Sequence, residues 1–314
     1  MSSSTFALRQ NSDSLGGEPI TPKSEFRHCD FICGWGAGCI ETMILYPSYK
    51  VIFRQQLHGL LTKEAMNQIK SEGISLLYRG LLPPLIMRTS SRALMFGVYD
   101  ELVRKFRCSS TTSLTVCHAK AAMLAGACEA LLCPLERVQV LLQTSAYHAH
   151  FKNTGEAFAA VKPHGFFEFY RGFSVIVARN SLANALFFTL REPFRELVLR
   201  TATCATSPQH CEGEDPVSTR QSVKFMADFA SGGLLGASIS TIFFPLNVAK
   251  NRMQSMLGTP FESVRSVFVV VWNERNRSVV ELFRGVQLNF TRSLIAWGIT
   301  NSVYELLRKQ LKCS

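Results

Sequence analysis

One pattern occurs three times in this chain, and it limits the fold more than any other feature. Pro47 opens Pro-Ser-Tyr-Lys-Val-Ile-Phe-Arg-Gln-Gln, Pro134 opens Pro-Leu-Glu-Arg-Val-Gln-Val-Leu-Leu-Gln, and Pro245 opens Pro-Leu-Asn-Val-Ala-Lys-Asn-Arg-Met-Gln. Gln56, Gln143 and Gln254 each fall nine positions after their proline. Downstream stand Tyr78-Arg79-Gly80, Tyr170-Arg171-Gly172 and Phe283-Arg284-Gly285; Gly73 and Gly165 lead the first two, and Ser278 takes that place in the third. Small residues sit thirteen and nine positions before each proline: Gly34 and Gly38, Ala121 and Ala125, Gly232 and Gly236. An internal repeat governs the architecture, so the chain is three copies of one unit.

Each landmark has a physical meaning. A small-xxx-small pair lets helix backbones approach closely, a device of membrane helices, where lipid supplies no hydrophobic drive for association. A proline inside a helical stretch removes a backbone hydrogen bond and kinks the helix. Each copy therefore reads as a kinked helix, a loop with a short helix, and a second helix. The prolines lie 87 and 111 residues apart, beyond the roughly 20 to 50 residues of solenoid repeats and long enough for two spans per copy. Six helices are predicted, near residues 28 to 57, 83 to 105, 116 to 144, 174 to 199, 223 to 256 and 287 to 310. Only Phe229 to Ala249 is free of charge for the length of a bilayer. The other five helices carry charges, which explains a mean hydropathy of only +0.11.

Composition excludes several alternatives. Hydrophobic residues are 47% and charged residues 18% of the chain, so intrinsic disorder throughout is ruled out. A net charge of +11 fits nucleic acid, anionic lipid or an anionic solute. The basic residues recur as Arg79, Arg171 and Arg284 at membrane boundaries rather than in one patch, which disfavours nucleic acid and makes anionic lipid the simpler partner. No Gly-x-Gly-x-x-Gly follows a strand and no Walker loop exists; Gly232-Gly233-Leu234-Leu235-Gly236 reads as apolar packing, so no catalytic residue is assigned. The histidines form no metal-spaced pair and no Cys-x-x-Cys occurs, so no metal is expected. The ten cysteines, among them Cys29, Cys33, Cys39, Cys128 and Cys133 in apolar stretches, are expected as buried reduced thiols. Residues 1–25 read as a disordered tail with neither secretory nor transit character. Residues 201–222 read as a flexible loop between the second and third copies.

Pro-x-acid-x-x-base followed by aromatic-basic-Gly, three times over about 300 residues, resembles the mitochondrial carrier family. The resemblance covers residues 26 to 312, with repeats at 26–107, 112–200 and 223–312. It implies an all-α membrane protein of six transmembrane helices in threefold pseudosymmetry, with short matrix helices and both termini facing the intermembrane space. It also implies one central solute site, reached alternately from either side of the mitochondrial inner membrane, and a monomer. Within the family, Phe53-Arg54-Gln55-Gln56-Leu57, Tyr78 to Leu85, Ala93 to Gly97, Pro134 to Gln139 and Arg292 to Ile299 resemble the NAD carrier subgroup. NAD is thereby expected as transported substrate rather than cofactor. Coenzyme A, an adenine nucleotide, or a transport-inactive adaptor stand as alternatives. Cardiolipin is implied near Gly80, Gly172 and Gly285, where backbone donors at a helix N-terminus suit a phosphate.

The same resemblance places the gates. Positions two and five after each proline share a helix face, and in the family they close a ring of ion pairs at the matrix end. Here they read Tyr49 and Ile52, Glu136 and Gln139, Asn247 and Lys250, so only Glu136 to Lys250 survives as a charge pair. Tyr49, Gln139 and Asn247 are expected to substitute hydrogen bonds for charge. At the opposite end the acid and base positions read Asp100 with Val103, Glu192 with Arg195, and Glu305 with Arg308, which predicts the pairs Asp100 to Arg195 and Glu192 to Arg308.

A charge at the centre of a spanning helix costs roughly 2.5 to 3.5 kcal/mol, so such residues should face water, a partner or a solute. Seven residues after Gly80, Gly172 and Gly285 come Met87, Arg179 and Arg292, with Arg88, Asn180 and Ser293 beside them. The family contacts solute at these levels, which nominates Arg88, Arg179, Asn180 and Arg292. Glu129 stands five before Pro134, where the other copies have Thr42 and Ser240. That break in symmetry points to an asymmetric ligand. Glu41 is a weaker candidate, and Arg92 lines or flanks the same cavity. Guanidinium groups bind phosphate oxygens in bidentate fashion and stack on planar rings. NAD supplies a pyrophosphate for the arginines and a nicotinamide cation or ribose hydroxyls for Glu129.

Overall fold

The structure is a computed structural model that describes residues 24–73, 77–108, 116–148, 150–206 and 217–311. The expected tail, up to residue 23, lies outside the described residues. The first copy contains α1 (Ser24–His58), α2 (Thr62–Glu72) and α3 (Leu82–Lys105). The second contains α4 (Val116–Glu129), a 3-10 turn at Ala130–Leu132, α5 (Cys133–Gln143), α6 (Thr154–Val161) and α7 (Phe173–Thr206). The third contains α8 (Val217–Ile242), α9 (Phe244–Gln254), α10 (Val264–Glu274), the short α11 (Val279–Leu282) and α12 (Val286–Gln310).

The long helices close into a ring. Helix α1 packs on α3 and α12, α3 on α4, α4 on α7, α7 on α8, and α8 on α12. Beside its buried apolar clusters, the ring departs from a water-soluble bundle in two respects. Trp35, Ile44, Leu131, Leu197, Ile242 and Leu306 are exposed, whereas Glu41, Lys50, Gln55, Arg137, Asn180 and Gln254 are buried. Large apolar side chains left outside, and charged and amide side chains taken inside, suit a ring surrounded by lipid.

The three prolines act differently. Helix α1 runs through Pro47 unbroken. Before Pro134 the helix tightens into the 3-10 turn, and Pro134 then starts α5. At Phe243 the chain bends by 59° between Ala230–Ile242 and Phe244–Gln254. A uniform kink was expected; instead Pro134 and Pro245 sit in the first turn of new helices, where the missing N–H has no intrahelical partner to lose. The stretch expected to be the clearest span is thus a bent pair, while Val116–Gln143 and Phe166–Thr201 are long and apolar enough to cross a membrane despite their charges.

Further corrections concern packing, cysteines and the linker. Gly232 and Gly236 do face Trp297 of α12, where added Cβ atoms would lie 2.9 Å and 3.4 Å from the ring, and Ala121 and Ala125 are buried. A Cβ on Gly34 or Gly38, however, would meet nothing within 4 Å; in that copy Gly36 makes the approach, 2.9 Å from Leu307. The glycine two residues from each took the contact because the α1–α12 crossing sets which face of α1 is covered. Cys108 and Cys117 form a disulfide joining the end of α3 to the start of α4, against the expectation of reduced thiols throughout. Their Cα atoms lie 5.7 Å apart, within bonding reach. Residues 201–206 and 217–222, expected in a flexible loop, are helical.

The copies are stitched to each other in a cycle. Arg79 donates to the carbonyl of His148 (2.9 Å), Arg171 to those of Thr259 (3.0 Å) and Pro260 (2.6 Å), and Arg284 to that of Gly59 (2.7 Å). Each arginine of the aromatic-basic-Gly triplets therefore holds the loop after the proline-bearing helix of the next copy. The adjoining glycines follow the same order: Gly80 approaches Leu142, Gly172 approaches Gln254, and Gly285 approaches Gln55. All three have positive φ, between 80° and 97°, which glycine adopts without steric cost.

Candidate solute site and matrix gate

The proline-bearing helices converge at their C-terminal ends. The Asn251 amide donates to Gln56 Oε1 at 2.5 Å, and the Gln143 amide donates to the Tyr46 hydroxyl at 3.2 Å. Tyr46 is fully buried, stacks on Tyr78 and donates to the Arg79 carbonyl at 2.7 Å. Below them the Arg137 guanidinium, also fully buried, meets Glu168 at 2.5 Å and donates to the carbonyls of Gln254 and Met256 at the end of α9. Glu168 also holds Arg171 at 3.1 Å. One carboxylate between two guanidiniums keeps this buried cluster charged and hydrogen-bonded.

The expected gate residues then divide. Lys250 Nζ donates to Glu136 Oε2 at 3.3 Å, joining α9 to α5. Ile52 is buried in an apolar cluster with Phe244, Val248 and Val175. Asn247 accepts from Arg179 at 2.8 Å, so it turns toward a residue nominated for solute. Tyr49 does the same: the guanidinium carbons of Arg88 and Arg292 lie 4.9 Å and 4.2 Å from the centroid of its ring. Hydrogen bonds were expected from Tyr49; its contact is through the aromatic face, because the arginines of α3 and α12 reach over it.

The nominated solute residues form two groups. In one, Arg179 donates to Asn180 Oδ1 at 2.9 Å and lies 3.6 Å from Glu136, so the Glu136 carboxylate is shared between Arg179 and Lys250. Close by, Glu129 accepts from the Ser91 hydroxyl and from the Asn184 amide at 3.5 Å. No arginine pairs with Glu129 among the described residues. In the other group, Arg88 forms an ion pair with the buried Glu41, and Arg292 donates to Asn289 Oδ1 at 3.1 Å and Ser293 Oγ at 3.0 Å. Glu41, the weaker of the two candidate acids, is thus the one that carries an arginine. The Arg292 Nε and Glu41 Oε1 atoms are buried with no hydrogen-bond partner.

Sequence reasoning missed Ser91, Asn184 and Asn289. Ser91 is three residues after Arg88, Asn184 four after Asn180, and Asn289 three before Arg292. Helical spacing on one face was the signal that would have found them. At the opposite end, Glu192 lies 3.7 Å from Arg195 of its own helix, and Asp100 is half-buried near the end of α3. The side chains of Arg92, Glu305 and Arg308 lie outside the described residues.

Among the described residues, a ring of long helices with apolar outer faces, three copies of one unit and an asymmetric set of buried charges define a membrane solute carrier. The chain belongs to the mitochondrial carrier family, described as "Mitochondrial carrier protein", whose pattern matches residues 25–110, 112–202 and 221–314. Among its relatives is the human mitochondrial nicotinamide adenine dinucleotide transporter SLC25A52, 44% identical over 290 residues, covering 92% of this chain and 91% of the relative. The human mitochondrial nicotinamide adenine dinucleotide transporter SLC25A51 is 43% identical over the same shares. Human solute carrier family 25 member 53 is 31% identical over 86% of this chain and 84% of its own.

Proposed function

We propose that this protein carries NAD across the mitochondrial inner membrane, with Arg88, Arg179 and Arg292 meeting the phosphates and Glu129 the nicotinamide or ribose end. The observation that carries the reading is the asymmetric placement of Glu129, which accepts from Ser91 and Asn184 and forms no ion pair with an arginine among the described residues. The naming of two relatives as nicotinamide adenine dinucleotide transporters, at 43% and 44% identity, supports the same solute.

Geometry also supports a way of coupling solute to gate. Arg179 is held by Asn180, Asn247 and Glu136. A phosphate is a stronger partner for a guanidinium than an amide is. Solute that draws Arg179 away leaves Lys250 as the remaining cationic partner of Glu136 among the described residues, which loosens the tie between α7 and the ends of α5 and α9. The outer end closes through Asp100, Glu192, Arg195, Glu305 and Arg308. Gly80, Gly172 and Gly285 precede the N-termini of α3, α7 and α12, and present backbone donors to cardiolipin phosphates. One chain completes the ring, so the working unit is a monomer.

The test is uptake of labelled NAD into vesicles carrying the purified protein, beside Glu129→Ala and Arg292→Ala. Saturable uptake lost in both variants is expected. Folded wild-type protein that takes up no NAD overturns the reading and directs the same vesicles to coenzyme A and adenine nucleotides.

A further inference from the structure

We infer that Tyr49 is a solute-positioning residue that sets specificity for a multiply charged anion, and not a component of the matrix gate. The inference rests on the reading that Arg88 and Arg292 meet the solute. Its starting point is a contrast between equivalent positions in the three copies, two residues after each proline. Glu136 occupies that position in the second copy and lies 3.6 Å from Arg179, so an acid there offsets the charge of a site arginine. Asn247 occupies it in the third and accepts from the same arginine at 2.8 Å. Tyr49 occupies it in the first, and its ring meets two arginines at once, Arg88 at 4.9 Å and Arg292 at 4.2 Å.

An aromatic face attracts guanidinium groups through its quadrupole but carries no net charge. Tyr49 therefore gathers two like charges from α3 and α12 without cancelling either. Glu41 cancels one of them through its ion pair with Arg88, and the cluster keeps a positive charge. An acid at position 49 would remove it. Arg292 has a buried Nε with no hydrogen-bond partner, so the ring holds the guanidinium in place while a donor is left for something else. Tyr49 is itself half-buried and so within reach of a solute. Two guanidiniums fixed against one rigid ring are preorganised for adjacent phosphoryl oxygens.

Three variants test this in phosphatidylcholine–cardiolipin vesicles: Tyr49→Phe, Tyr49→Leu and Tyr49→Glu, each first checked for wild-type melting behaviour. Tyr49→Phe keeps the ring and should leave the KM for labelled NAD within about twofold. Tyr49→Leu should raise KM about tenfold, equivalent to ~1.4 kcal/mol, with little change in maximal rate. Tyr49→Glu should raise KM further. Inorganic pyrophosphate gives an independent reading as a stabiliser in thermal unfolding: its shift should persist in Tyr49→Phe and shrink in the other two. A Tyr49→Leu carrier with unchanged KM and a reduced maximal rate would return Tyr49 to the gate, and a Tyr49→Glu carrier with wild-type KM would overturn the charge argument. Should wild-type vesicles take up no NAD, the proposed solute fails, while the pyrophosphate shifts still decide the role of Tyr49.

Discussion

Glu136 is shared between Lys250 at 3.3 Å and Arg179 at 3.6 Å, which makes it the side chain on which the proposed matrix gate depends most. Glu136→Gln removes the charge and retains the shape. It should change the NAD uptake rate at least severalfold, and unchanged transport in vesicles would refute the assignment. His148 makes a different prediction. Burial pushes its imidazole down to about 4, with Arg79, Lys50 and Arg54 acting in the same direction and Glu72 against it. Its Nε2 is buried without a partner, so a second proton finds no acceptor there. The unfolded chain, with an imidazole near 6.5, binds that proton first. The stabilising contribution is thus complete above pH ~6.5 and is lost as pH falls toward 4. The melting temperature of wild type should drop more between pH 7 and pH 5 than that of His148→Gln.

Helix contacts respond to single atoms. A Cβ on Gly126 would stand 2.6 Å from the backbone of Asn180, so α4 and α7 touch at that point with no space to give. Gly126→Ala should destabilise the protein by about 1 to 3 kcal/mol, the usual effect of overpacking. It should also slow uptake, since Arg179 and Asn180 move with α7. Gly38→Ala meets nothing within 4 Å and should be neutral or slightly stabilising, because alanine favours helix over glycine by about 1 kcal/mol. Thermal unfolding of the two variants in one detergent checks the pair. Both glycines stand nine or fewer residues from a repeat proline in sequence; only the crossing geometry separates them.

At the level of the whole molecule, closure comes from contacts between copies. Arg275 donates to the carbonyls of Gln55 (3.0 Å) and Gln56 (2.8 Å), so the third copy caps the last turn of α1, and burial lowers the pKa of its guanidinium. The three triplet arginines complete the cycle. At the other end the Cys108–Cys117 disulfide closes a loop with a sequence separation of 9. Peptide mapping without reductant should recover this pair as one cross-linked species, and its loss in Cys108→Ser should cost about 2 to 4 kcal/mol. Recovery of both thiols free would refute it.

What was legible in the sequence is what repeats or is local. The triple proline motif, the positions of six long helices and the levels of Arg88, Arg179 and Arg292 follow from periodicity along one chain, since helical spacing places them without knowledge of any neighbour. So does the Glu136 to Lys250 pairing, through the equivalence of the copies. Which glycine makes contact, which acid holds Arg88 and what Tyr49 touches depend on how helices cross, and crossing angles are set by all the side chains at an interface together. Glu41 and Arg88 are 47 residues apart, and Tyr49 meets arginines from two other helices. The sequence alone determined a threefold carrier with a charged centre. Only the tertiary structure decided that the first copy's gate position had become an aromatic cradle, because a ring between two cations exists only where three helices bring them together.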